Sequence, residues 1–152
     1  MNKPRAILIA AIALAGVVIF GVTALATTGA GFMGTPQVRG TITRDVHLNA
    51  DRIKFQTKGE TDVVVQTVTF SPAGYSGWHT HPGFVLVVVE SGAVTLQVGC
   101  STNTYSVTQS FYESGTTPIM ARNNGTSPAV VRVTYIVPKG SPVRLEANAP
   151  TC

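Results

Sequence analysis

Apolar and polar residues alternate in short runs along most of this chain, and those runs predict strands. Val63 to Phe70 is rich in Val and Thr and is closed by Ser71-Pro72-Ala73-Gly74. Trp78 to His81 is a short strand stopped by Pro82-Gly83. Phe84 to Val89 is strongly apolar, and Ser91-Gly92 turns it into Ala93 to Val98, where Val94, Leu96 and Val98 alternate with Thr95 and Gln97. The pattern predicts a hairpin there with one buried face. Tyr105 to Val107, Ser110 to Tyr112, Pro118 to Arg122 and Ala129 to Val137 complete the series, with turns at Asn123-Asn124-Gly125 and Pro138-Lys139-Gly140. No stretch after Ala26 keeps a helical period. Many short strands at regular spacing predict an all-β sandwich or barrel.

The first 26 residues obey a different rule. Lys3 and Arg5 precede a run from Ala6 to Ala26 that carries no charge. A basic start, an apolar run and Ala24-Leu25-Ala26 fit a signal peptide cut after Ala26. The run is also long enough to span a bilayer as a helix if it stays uncut, with the basic end held in the cytoplasm. Both alternatives export the rest of the chain. The expected organisation is therefore a signal or N-terminal anchor over 1–26, a flexible linker over 27–40 and a β-barrel domain over 41–152.

Composition sharpens this picture. The chain is 44% hydrophobic and only 12% charged, which excludes intrinsic disorder. Its net charge of +4 comes from scattered Lys and Arg, not from a basic face, so nucleic acid is set aside as a partner. Without residues 1–26, nine basic residues stand against seven acidic ones, a net charge of +2, so part of the basicity belongs to the export segment. The two cysteines, Cys100 and Cys152, are expected to pair in an oxidising compartment and tie down the Pro-rich C-terminus. Two free thiols are the alternative.

The one cluster with chemistry in it is Trp78-His79-Thr80-His81-Pro82-Gly83. Residues two apart on a strand share a face, so His79 and His81 present two imidazoles side by side. Two ligands of a metal ion can come from one strand at that spacing. Gly74, this His-x-His-Pro-Gly segment and Gly92 in the next turn resemble the first motif of the cupin family. The resemblance runs from about Val63 to Gly140. It implies a cupin-like double-stranded β-helix, a jelly-roll barrel, here preceded by an N-terminal hydrophobic helix.

The resemblance also implies a metal site, and there the match is incomplete. The family's glutamate ligand falls on Val85, and the histidine of its second motif falls on Ile119, four residues before the matching Asn123. Neither Val85 nor Ile119 coordinates a metal. Other donors stand at less regular positions. Glu90 lies five residues beyond Val85, an odd step that puts it on the other face. Gln66 faces inward from a neighbouring strand. Met120 takes the histidine place if the second motif shifts by one, and His47 precedes the barrel and reaches its mouth only by folding across it. None of these rests on a spacing rule.

The histidine pair supports two readings. In the first, His79 and His81 are hydrogen-bonded residues of a pocket lined by Gln66, Val85, Ile119, Met120 and Asn123, and the exported domain binds a small ligand without catalysis. In the second, they hold a divalent transition metal in an enzyme of the oxygenase or isomerase type. A homodimer formed through Phe84 to Val89 is a further expectation, and Asn124-Gly125-Thr126 is a glycosylation sequon whose role as a turn is sufficient.

Overall fold

The computed structural model describes residues 28–152, so the apolar run of 6–26 lies outside the described residues. Thirteen strands occur in the order β1 (Ala30–Gly34), β2 (Val38–Ile42), β3 (His47–Ala50), β4 (Ile53–Gln56), β5 (Thr61–Tyr75), β6 (His79–Thr80), β7 (Phe84–Ser91), β8 (Ala93–Val98), β9 (Ser101–Ser106), β10 (Ser110–Ser114), β11 (Ile119–Arg122), β12 (Ala129–Pro138) and β13 (Leu145–Glu146). Among the described residues no helix is long and apolar enough to cross a membrane.

Two antiparallel layers curl into a nearly closed barrel. One layer runs β10-β7-β12-β5, with β1 and β2 both hydrogen-bonded to the far side of β5. The other holds β9, β8, β11, β6 and β13. The 15-residue β5 bends between them, so that Tyr75 at its end pairs with Arg122 of β11. The separate hairpin of β3 and β4 stands apart with Leu48 and Ile53 exposed.

Alternation explains the core. Val85, Val87 and Val89 of β7 point inward with Val131, Val133, Tyr135 and Val137 of β12, and Val94 and Leu96 of β8 meet them from the opposite layer. Each fully buried valine contributes about 1.5–3 kcal/mol through removal of its surface from water. On the outer face of β7 and β10, Phe84, Leu86, Val88 and Tyr112 are exposed.

Two expectations from the sequence are corrected. The Ser91-Gly92 turn does not make a hairpin. Strand β7 pairs with β10 and β12, whereas β8 pairs with β9 and β11, so the turn carries the chain from one layer to the other. Gly92 has φ +70, and a Cβ there would meet the Ala129 Cα and the Pro128 carbonyl at 3.0 Å, which suits only glycine. The segment 27–40, expected to be a linker, supplies β1 and β2. Their side chains are almost all exposed, so they carry no alternation, and backbone bonds to β5 hold them instead.

The disulfide between Cys100 and Cys152 is formed, with a Cα–Cα distance of 5.7 Å. It fixes the chain's last residue to the turn between β8 and β9, so the tail after β12 runs back along the barrel. On the way it supplies β13, which pairs with the histidine strand β6.

Candidate metal centre

The site is built where β6 faces the inner side of the β10-β7-β12-β5 layer. Strand β6 is held on one side by β11, through Ile119 opposite His79, and on the other by β13, through Glu146 opposite His79. Beyond His81 the backbone passes close to β12. A Cβ on Gly83 would lie 2.1 Å from the Ile136 carbonyl oxygen, so glycine alone lets Pro82-Gly83 make this approach. His79 and His81 are both buried, with ring centroids 4.9 Å apart at an interplanar angle of 86°.

The backbone fixes which nitrogen of each ring carries the proton. Nδ1 of His79 lies 2.9 Å from the Gly77 carbonyl oxygen, and Nδ1 of His81 lies 2.5 Å from that of Val143. A carbonyl only accepts, so Nδ1–H donates in both rings, and Nε2 is the nitrogen left to bind a metal. Burial first, and then the nearby charge of Arg144, lower the pKa of His79 from 6.5 to about 4. His79 is therefore neutral at neutral pH and free to act as a ligand.

A third donor comes from β10. Glu113 is buried, and the ligand atoms of His79, His81 and Glu113 all lie within 4.8 Å of one another. Glu113 Oε2 stands 3.0 Å from His81 Nε2, yet that nitrogen is buried without a hydrogen-bond partner. The contact is close enough for a hydrogen bond but does not have the direction of one. With Nδ1 holding the ring proton, Nε2 and the carboxylate oxygen beside it are both acceptors. Two acceptors at that distance repel unless a cation stands between them. The residues thus fit a metal ion, and two imidazoles with one carboxylate are a donor set that first-row transition metals accept.

Glu113 escapes the sequence pattern because the predicted strand stops at Tyr112. The alternation Phe111, Tyr112, Glu113 puts the carboxylate on the face of Phe111, and an acid on an otherwise apolar face was the available signal. Glu113 pairs directly with Val85, the residue in the family's glutamate place. The carboxylate of this chain stands one strand to the side, on β10 and not β7.

The other candidates are spread through the barrel. Gln66 does line the cavity, but its Nε2 donates to the Thr35 carbonyl at 2.8 Å and its Oε1 lies 3.4 Å from the Tyr135 hydroxyl. Val85 and Ile119 are packed in the core, and Met120 is buried; none of the three lines the cavity. Asn123 is a turn residue: its amide donates to the carbonyls of Phe70, Ser71 and Ser127, and its oxygen accepts from Gly125 N–H. Glu90 is on the outside, paired with Arg132, and His47 is exposed on β3.

The cavity above the triad measures about 160 Å³. Val68, Phe70, Val87, Phe111, Val131 and Val133 form its apolar walls. Tyr135 lies beside His81 with ring centroids 5.7 Å apart, and burial, reinforced by Glu113, raises its pKa to about 12. Its hydroxyl is therefore a neutral donor. Phe32 and Gly34 of β1 close one side, and Arg144 from the tail closes another.

Residues 66–146, more than half of the chain, match the family model of the cupin domain. The chain is a cupin. Among solved structures, a conserved protein with a double-stranded β-helix domain from Klebsiella pneumoniae subsp. pneumoniae MGH 78578 is similar to it at 16% identity. That match covers 74% of this cupin and 84% of the other chain, with a TM-score of 0.50. The cupin domain of an XRE family transcriptional regulator from Enterobacter cloacae is 20% identical over 49% of this chain and 80% of its own, with a TM-score of 0.45. An oxalate oxidase in complex with glycolate is 18% identical over 55% of this chain and 45% of its own, with a TM-score of 0.48. Likeness at these identities shows a shared fold. No curated protein matches the cupin in sequence.

Proposed function

We propose that this cupin is a metal-dependent enzyme of the oxygenase or isomerase type, holding a divalent transition metal through Nε2 of His79, Nε2 of His81 and the Glu113 carboxylate. The observation that carries the reading is the buried, unpartnered His81 Nε2 beside Glu113 Oε2. A barrel that merely bound a ligand would gain nothing from burying an unpartnered nitrogen beside a carboxylate. When bound, such an ion supplies Lewis-acid polarisation of a ligand oxygen or a site for dioxygen. The chain's own residues do the rest. Gly77 and Val143 aim the imidazoles, the neutral Tyr135 hydroxyl would turn from Gln66 Oε1 to a ligand oxygen, and the valine walls line the chamber.

Elemental analysis of protein purified without chelator tests this. We expect close to one equivalent of a transition metal, and Glu113→Gln weakens binding by about a hundredfold or more, since even partners behind the ligands are worth about 10–100-fold. Essentially no metal in the wild-type protein returns the assignment to a non-catalytic ligand-binding barrel.

We also propose that the domain works outside the cytoplasmic membrane, either secreted or anchored. Lys3 and Arg5 before the uncharged run of 6–26 support this, as does a cystine at Cys100–Cys152. Mass measurement of the mature protein in membrane and soluble exported fractions tests it. A full-length, cytoplasmic chain would refute it.

A further inference from the structure

The cavity's shape and charge identify the kind of molecule it takes, and this rests on the metal reading above. We propose that the ligand is a small monocarboxylate with a short branched or cyclic apolar body, and that Arg144 selects its carboxylate.

Size sets the first limit. A cavity of about 150 Å³ holds a benzene-sized molecule. The space here is about 160 Å³, so the part of the cavity beside the triad suits an apolar body of roughly six carbons. Val68, Phe70, Val87, Phe111, Val131 and Val133 give such a body an apolar bed, with the polar groups of Gln66, Tyr135 and Arg144 at its edges.

Charge sets the second. With a divalent ion on two neutral histidines and one carboxylate, one positive charge is left uncompensated in a buried space. Arg144 adds a further cation at the wall, but Glu146 already balances it through bonds of 2.6 Å to Nε and 2.9 Å to Nη2. The balance left over is met by one negative charge on the ligand.

Placement sets the third. The Arg144 side chain lines the cavity, and its guanidinium carbon lies 5.9 Å from the Phe32 ring centroid. Glu146 occupies the Nε–Nη2 edge of the guanidinium and leaves Nη1 outside that pair. Phe32 stacks on Phe70, a wall residue, with centroids 5.9 Å apart. The cation is therefore held against the apolar chamber by packing from β1 and by a carboxylate from β13. Arginine so fixed reads a planar carboxylate better than it reads a neutral group.

The test uses the full chain loaded with zinc and two pairs of near-isosteric probes, isobutyrate with isobutyramide and isovalerate with isovaleramide, titrated by calorimetry. We expect each acid to bind at least about tenfold more tightly than its amide. Arg144→Gln should remove at least about tenfold from the acids and leave the amides unchanged, and Arg144→Lys should restore part of the loss. Equal binding of acid and amide overturns the proposal, as does no binding of either probe. A preference that survives Arg144→Gln overturns Arg144 as the selecting residue. Zinc content measured on the same samples separates the two levels. A chain that takes up no zinc fails the metal reading itself, whereas a chain that takes up zinc and ignores the acids fails only the ligand assignment.

Discussion

Glu113 and the two histidines reach one point from supports of very different kinds. Glu113 stands in β10, every residue of which is registered against β7, and β7 is in turn registered against the ten-residue β12. His79 and His81 come from β6, a strand of two residues, with His81 just past its end. What steadies them is largely the tail: β13 pairs with β6, the Ala147 N–H donates to the Trp78 carbonyl at 3.1 Å, and the Val143 carbonyl accepts from His81. The tail is itself closed onto β8–β9 by the cystine. One side of the metal centre is therefore carried by the barrel's main ladder, and the other by a strap fastened at its far end. Geometry on the first side is protected by global stability. On the second it depends on a local closure that can open by itself.

Reduction of Cys100–Cys152 should break this contrast most sharply. The bond closes a loop with a sequence separation of 52, worth about 4 kcal/mol in the chain-entropy account. Denaturant unfolding with and without reductant should show a loss of that order. Metal affinity at low denaturant should fall about tenfold, as for loss of an outer hydrogen bond to a ligand. Metal affinity unchanged by reduction would show that β6 stands without the strap.

Acid should probe the histidine side next. In the metal-free protein the unfolded His79 takes a proton near 6.5 and the folded one only near about 4. Between those values the unfolded state holds more protons, so stability falls as pH drops from 6.5 toward 4 and levels off below. The span corresponds to about 3 kcal/mol. His79→Gln should flatten that part of the profile. It should leave a second acid step, because hydrogen bonds from Thr41, Gly140 and Arg39 lower Asp62 from 3.8 to about 2 and are lost only as pH falls through that range. A wild-type profile flat from 6.5 to 4 would refute the assignment of His79 as a buried neutral ring.

The ladder side should give the smallest and most uniform effect. Val133→Ala empties part of the wall between Val87 and Gln66, the residues registered beside it. We expect about 2 kcal/mol lost in denaturant unfolding, shared by the whole barrel. Metal affinity should barely move in the folded range. A large drop in affinity instead would mean that the ladder, too, yields locally.

How much of the molecule is legible in its sequence varies with how local the information is. The strands from Val63 onward announce themselves, because burying one face of a sheet forces a period of two onto neighbouring residues. His79 and His81 are legible for the same reason, two positions apart on one strand. The partners of those strands are not. Ser91-Gly92 looks like a hairpin turn by composition, and only the closure of two layers shows that it changes sheets. Segment 27–40 looks like a linker because the strands in it are held by backbone bonds and need no apolar face.

Glu113 marks the boundary most clearly. Sequence sets its parity with Phe111 and so its inward direction, but it has no means of saying what stands across the strand gap. The family's spacing looks along β7, finds Val85 and ends there. Pairing of β10 with β7 places a carboxylate opposite that valine and within reach of His81. Which face a residue takes is set by its immediate neighbours in the chain. Which residues meet is set by register between segments that close only when the whole barrel forms, and the metal centre belongs to that second kind of fact.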